Sequence, residues 1–265
     1  MAKKYLGQNF LSDPAILQRI IEVASLSPED TVVEIGPGPG RLTRMLAEHV
    51  KKVIAIEVDR QLYERLLKEL PDEGNVELVC GDALEYPYGS LPEFKVVANI
   101  PYYITTPILF RILEHGDRLR SATLTIQKEV AERIVAGPGG KEYGVLSLMV
   151  QYYCRASLEF MIPKGAFRPV PKVDSAVIHL DVRERPAVAV ADEKIFFRVI
   201  KTAFSQRRKM LSNVLASLSK DIRELLIQAE IDPSRRAETL SIEDFARLSD
   251  ILQRGRPGPP SGPGR

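Results

Sequence analysis

The 265-residue chain has no tryptophan, only two cysteines and only three histidines. Cys80 and Cys154 both sit in apolar runs (VELVC, MVQYYC), with no CxxC pair and no histidine cluster. That pattern argues against a disulfide scaffold and against a structural zinc site, so no metal is expected. Long apolar runs are missing as well: none approaches the roughly 18–20 residues of a membrane span, and no membrane partner is expected. The opening MAKKYLGQNF carries two lysines but lacks the apolar stretch of a secretory leader, which makes a cytoplasmic location the expectation. Nor is there a large excess of one charge, with 37 Lys/Arg against 35 Asp/Glu. The distribution is uneven, however. Residues 1–182 hold 21 basic and 24 acidic side chains, while residues 183–265 hold 16 and 11 and contain the densest cluster, Arg207-Arg208-Lys209. A basic second part fits an acidic partner such as nucleic acid.

What is present is an ordinary globular composition, 45% hydrophobic and 27% charged. A chain of this length buries about three quarters of its unfolded surface without covalent staples. Asp13-Pro14 opens a helix, with an N-cap followed by proline at the first helical position. Buried-strand patterns follow at TVVEI (31–35), KVIAIE (52–57), VELVC (76–80), KVVAN (95–99) and ATLTIQ (122–127). Helical patterns lie between or after them: one running to about 49, then 59–70, 106–115 and 128–136. Alternation of this kind predicts an α/β fold with a mostly parallel open sheet. Residues 145–154 are apolar nearly all round and are read as a buried helix. SLEFMIP (157–163) and SAVIHLDV (175–182) are read as two late strands, one of them an antiparallel closing strand at the sheet edge. From Asp192 only helical patterns remain, at 192–204, 209–218, 220–230 and 241–253, which predicts a small C-terminal α-helical domain. The expected organisation is a first domain over 1–183, a helical domain over 184–254 and a disordered Gly/Pro-rich tail over 255–265.

Glu34-Ile35-Gly36-Pro37-Gly38-Pro39-Gly40 lies between the first of these strands and the next helix. Glycines there permit a sharp turn and close approach of a ligand beside a helix N-terminus. The dinucleotide fingerprint fails, since Arg41 occupies its sixth position, and no GK[ST] follows to make a P-loop. Glu57 ends the second strand, where an acid can accept the hydroxyls of a ribose. Asp82, in Gly81-Asp82-Ala83, ends the third and can accept an adenine amine. Asn99-Ile100-Pro101-Tyr102 ends the fourth. It supplies an amide, a proline-fixed turn and a flat face for stacking.

Together these motifs resemble an S-adenosylmethionine-dependent adenine-N6 methyltransferase. Leu6–Leu11 (LGQNFL), Phe167–Val177 (FRPVPKVDSAV) and Ala203–Lys209 (AFSQRRK) narrow the resemblance to the KsgA-type small-subunit ribosomal RNA adenine dimethyltransferases, over about residues 3–250. The resemblance implies a Rossmann-like catalytic domain with S-adenosylmethionine held by Gln8, Asn9, Leu11, Glu34, Gly36, Gly38, Glu57, Asp82, Ala83 and Asn99. It implies that Asn99, Ile100, Pro101 and Tyr102 hold the target base, with Phe167 as the second aromatic. Lys172, Arg198, Lys201, Arg207, Arg208 and Lys209 would hold RNA phosphates, and Arg207 and Arg208 could instead pair with acids of the first domain. The implied substrate is a pair of adjacent adenosines in the hairpin loop near the 3′ end of small-subunit ribosomal RNA. The expected partner is the small ribosomal subunit, with a role in ribosome biogenesis and a monomeric state. The competing readings are an erythromycin-resistance-type enzyme acting on large-subunit RNA, a DNA adenine methyltransferase, a dehydrogenase, and a non-catalytic assembly factor. FSQRRKML and RAETLS favour the small-subunit branch.

Overall fold

Strands form where β-branched residues crowd together between Gly, Pro and Asp punctuation. A computed structural model of the chain describes residues 8–70 and 74–254. The expected 255–265 tail, and Leu6 and Gly7 of the N-terminal motif, lie outside them. In chain order the strands are β1 (Phe10–Leu11), β2 (Thr31–Ile35), β3 (Lys52–Glu57), β4 (Val76–Cys80), β5 (Phe94–Asn99), β6 (Leu119–Gln127), β7 (Cys154–Ile162), β8 (Phe167–Arg168) and β9 (Ser175–Val182). The helices are α1 (Pro14–Ala24), α2 (Arg41–Ala47), α3 (Arg60–Glu69), α4 (Thr105–Leu113), α5 (Lys128–Val135), α6 (Val145–Tyr153), α7 (Glu193–Ala203), α8 (Leu211–Val214), α9 (Ile222–Gln228) and α10 (Ile242–Arg254).

Seven strands make one sheet in the order β4-β3-β2-β5-β6-β9-β7. β2 to β6 run parallel, and β9 lies antiparallel between β6 and β7. The antiparallel strand is therefore one position in from the edge, not at the edge itself, because β7 closes the sheet beyond it. Strand order reverses between β2 and β5. That switch point is where open α/β sheets leave a crevice at their carboxyl ends. A separate two-residue ladder pairs Phe10 with Arg168 and Leu11 with Phe167.

The chain divides into two compact units. One takes in the chain up to Glu132 together with Tyr153–Arg183, and contains the whole sheet. Its core joins Leu17, Ile20, Leu42 and Leu46 of α1 and α2 to Val32, Val53, Phe160 and Val177 of the strands. Asp13 caps α1 by accepting the N–H groups of Ala15 and Ile16, and Asp59 caps α3 through Gln61. Each such cap contributes about 1 kcal/mol.

The other unit joins Arg133–Tyr152 to the chain from Glu184 on. Residues 133–152, which the sequence puts ahead of a boundary at 183, belong here because their aromatic rings find partners here. Tyr152 packs on Phe196 and Phe197, and Tyr143 meets Phe204 edge-on, which in turn contacts Phe245. The helix expected over 209–218 is shorter, α8 followed by a single 3-10 turn at Leu215–Ser217. Ser212 and Asn213 in it are weak helix formers.

Candidate active site

The ladders of β2, β4 and β5 each continue one residue beyond the strand's carboxyl end. Gly36 N–H donates to the Ile56 carbonyl, Gly81 to Glu57 and Ile100 to Thr125, at 3.0–3.1 Å. A cleft opens above them. Gln8, Asn9, Gly36, Gly38, Glu57, Asp82, Ala83, Asn99, Ile100, Pro101 and Tyr102 line it, so eleven residues expected from the sequence converge.

Gly36 and Gly38 have φ of +71° and +55°, a region that L side chains adopt at a cost. A Cβ on Gly38 would lie 2.7 Å from the Phe10 ring, so only glycine lets β1 cross the loop this closely. Glu57 is buried, and its two carboxylate oxygens accept the N–H groups of Gly38 (3.2 Å) and Asp59 (2.9 Å). Burial pushes its carboxyl above the usual carboxylate range, and those backbone donors oppose the shift. A hydroxyl-rich ligand would fit this carboxylate, which keeps acceptor capacity at the cleft wall. Asp82, just beyond the end of the neighbouring strand β4, is exposed, its Oδ1 accepting Leu84 N–H at 2.9 Å. The Asn99 amide nitrogen donates to the backbone carbonyl of Asn9 at 2.9 Å. Its Oδ1 then has no protein donor among the described residues. Tyr102 is half-buried, and its hydroxyl lies 2.6 Å from Ser175 Oγ.

Three expected residues lie elsewhere. Leu11 and Glu34 border a smaller neighbouring cavity that shares Gly36, Asn99 and Phe10 with the cleft. Glu34 is 2% exposed with Oε2 unpartnered, and burial, helped by the Glu57 charge, pushes its carboxyl up to about 8. Phe167 is corrected. It is 0% exposed, inside the core beside Leu11 and Val177, and presents no face to the cleft. The β1–β8 ladder covers it, which the sequence gives no means of seeing. Conversely, the reading missed Phe10, Val58, Leu84, Tyr103 and Ile104 in the cleft wall. The doubled tyrosine in NIPYY is the one signal that could have found Tyr103, which is 54% exposed.

Lys172 is exposed on the first unit, and Arg198, Lys201, Arg207, Arg208 and Lys209 on the second. Arg207 is engaged within its own unit. It donates to the carbonyls of Lys141 (2.6 Å) and Tyr143 (2.8 Å), with Glu238 at 3.5 Å, and thereby closes the 141–143 loop. Among the described residues no group of three or more His, Cys, Asp or Glu is placed to hold a metal ion, and no helix is long and apolar enough to cross a membrane.

Sheet order, glycine loop and cleft define a Rossmann-like methyltransferase. Comparison with known proteins carries this further. The family described as ribosomal RNA adenine dimethylase matches residues 1–254. A protein of Moorella thermoacetica named ribosomal RNA small subunit methyltransferase A is 48% identical, over 95% of this chain and 92% of its own length. One of the same name from Clostridium acetobutylicum is 46% identical, over 95% and 94%. Among solved structures, a dimethyladenosine transferase from Plasmodium falciparum superposes with a TM-score of 0.75 at 28% identity, covering 90% of this chain and 95% of that one. The 23S rRNA methyltransferase ErmE gives 0.74 at 29%, covering 92% and 100%. The chain belongs to the ribosomal RNA adenine dimethylase family and is an enzyme of that family.

Proposed function

We propose that the protein transfers methyl groups from S-adenosylmethionine to N6 of two adjacent adenosines in the 3′-terminal hairpin loop of small-subunit ribosomal RNA, giving N6,N6-dimethyladenosine during ribosome biogenesis. The small-subunit assignment is supported by the curated relatives at 46–48% identity, which carry that name. The chemistry is supported above all by one contact, the Asn99 amide held by the Asn9 carbonyl.

The cleft fits the cofactor. Gly36 and Gly38 would admit its methionine part, Glu57 would accept ribose hydroxyls and Asp82 would accept the adenine amine. Gln8 and Asn9, just ahead of β1, would cover it. When bound, S-adenosylmethionine supplies a methyl group on a sulfonium, an electrophile with a good leaving group.

The remaining work is positioning, and this chain's residues do it. The N6 lone pair of adenine is delocalised into its ring, so the amine is a weak nucleophile. With its nitrogen tied to Asn9, the Asn99 side chain presents Oδ1 to one N6 hydrogen. Acceptors at this point favour the pyramidal, electron-rich amine that reacts, as a donor pair favours an oxyanion elsewhere. Asn99 would hold the amine so that its lone pair could take the methyl group; the electron pair of the C–S bond would remain on sulfur, and the displaced N6 proton would leave to water. Tyr102 offers a ring face to the extruded base, a stack contributing about 1–3 kcal/mol. Loop bases cost less to extrude than paired ones. Exposed Lys172, Arg198, Lys201, Arg208 and Lys209 provide phosphate contacts that position the RNA without reading bases. The protein acts as a cytoplasmic monomer.

The test is transfer of labelled methyl to an unmodified RNA carrying that hairpin, followed by nucleoside analysis. Dimethyladenosine is expected with the wild type, and a loss of about 100-fold or more with Asn99→Ala. Transfer by Asn99→Ala at the wild-type rate would overturn the assignment.

A further inference from the structure

Ser175 is the first residue of β9, and its place is fixed from both sides. It pairs with Gln127 at the end of β6 and with Ile162 at the end of β7. The preceding Asp174 is tied as well, its carbonyl accepting Lys128 N–H at 3.0 Å and its side chain accepting Lys164 N–H at 2.9 Å. Ser175 is 0% exposed, and its one side-chain hydrogen bond among the described residues reaches 2.6 Å to the hydroxyl of Tyr102, 73 residues earlier. Tyr102 itself sits in a short turn after β5, where residues 102–104 make a single 3-10 turn. Such a turn does little to hold an aromatic ring in one orientation.

We infer that Ser175 is a positioning residue for the methyl transfer: a buried hydroxyl at the end of the sheet that pins the Tyr102 ring, so that its face stays set for the target base. The inference rests on the proposed function of the cleft. The contact has a second consequence. A phenol whose hydroxyl is taken up by a buried serine has its ring, and not its oxygen, left to meet the base. Burial also holds that hydroxyl's pKa above the ordinary tyrosine value, which keeps it neutral at physiological pH. Tyr102 therefore works as a surface, and its oxygen takes no proton during the reaction. Ser175 never touches the base and acts only through the ring.

A double-mutant cycle tests this. Single-turnover transfer to the hairpin RNA is measured for wild type, Ser175→Ala, Tyr102→Phe, the double variant and Ser175→Thr, alongside cofactor Kd and thermal midpoint. Ser175→Ala is expected to lower the rate about tenfold, the loss of one buried hydrogen bond, with cofactor Kd unchanged. Tyr102→Phe should do the same, the double variant should lose no more than either single, and Ser175→Thr should recover most of the rate. A second readout needs no activity: the 19F resonance of fluorotyrosine at position 102 should be one narrow line in wild type and broadened or split in Ser175→Ala. A wild-type rate in Ser175→Ala, single losses that multiply in the double variant, or an unchanged 19F line would overturn the inference. A wild type that transfers no methyl group would instead sink the proposed function, while the 19F comparison would still report whether Ser175 pins the ring.

Discussion

Glu34 carries a buried carboxyl whose pKa, about 8, lies far above its ordinary value of 4.5. The folded protein therefore holds a proton there that the unfolded chain releases once pH passes 4.5. Where the folded state binds more protons, stability falls as pH rises. This group's contribution is complete below pH 4.5 and is lost through the window up to about 8, at about 1.4 kcal/mol per unit. Glu57 is shifted in the same direction and adds to the slope. Glu34→Gln keeps the shape and removes the proton exchange, so its urea midpoint should fall less between pH 5 and 8 than that of wild type. Equal slopes for the two proteins would show that Glu34 is already ionised at pH 5. Asn99 outranks its neighbours in NIPY because its side-chain acceptor is oriented by a contact 90 residues away, whereas the Tyr102 hydroxyl is already engaged by Ser175.

Among the elements, the two-residue ladder of β1 and β8 carries most consequence for its size. It brings Phe10 over the glycine loop and covers Phe167. Gly38→Ala would set a methyl group against the Phe10 ring at a positive φ. A loss of about 1–2 kcal/mol in thermal or urea unfolding is expected, with weaker cofactor binding in titration calorimetry. Unchanged binding would mean that β1 does not shape the cleft. Strands β2, β3 and β4 were legible to the residue from TVVEI, KVIAIE and VELVC, because β-branched runs between turn residues leave few alternatives. Phe10-Leu11 was not legible, since two residues carry no period. Its partner lies some 157 positions away in the chain, and the placing of Phe167 failed for the same reason. Most of the cleft residues could be read because they lie at or just after a strand end, where local spacing decides position; Gln8 and Asn9, ahead of β1, came from the family resemblance alone. Ser175 sits at a strand start, and only tertiary pairing brings it to Tyr102.

At the scale of the whole molecule, the excess positive charge of residues 183–265 divides into two kinds. Arg207 holds the 141–143 loop within its own unit, whereas Arg208 and Lys209 are exposed and have no ion pair among the described residues. Arg207→Ala is expected to cost about 1–3 kcal/mol of stability. Arg208→Ala with Lys209→Ala should leave stability within about 0.5 kcal/mol. The double substitution should also reduce the slope of log binding constant against log salt for RNA by roughly 1.4, two contacts at about 0.7 each. Fluorescence anisotropy across a salt series measures this, and an unchanged slope would remove these two residues from the RNA contact. The central claim concerns which RNA is modified, and labelled methyl transfer to undermethylated small and large ribosomal subunits, followed by nucleoside analysis, decides it. N6,N6-dimethyladenosine is expected in small-subunit RNA alone; label appearing in the large subunit, or in neither while the cofactor binds, would contradict the proposed function.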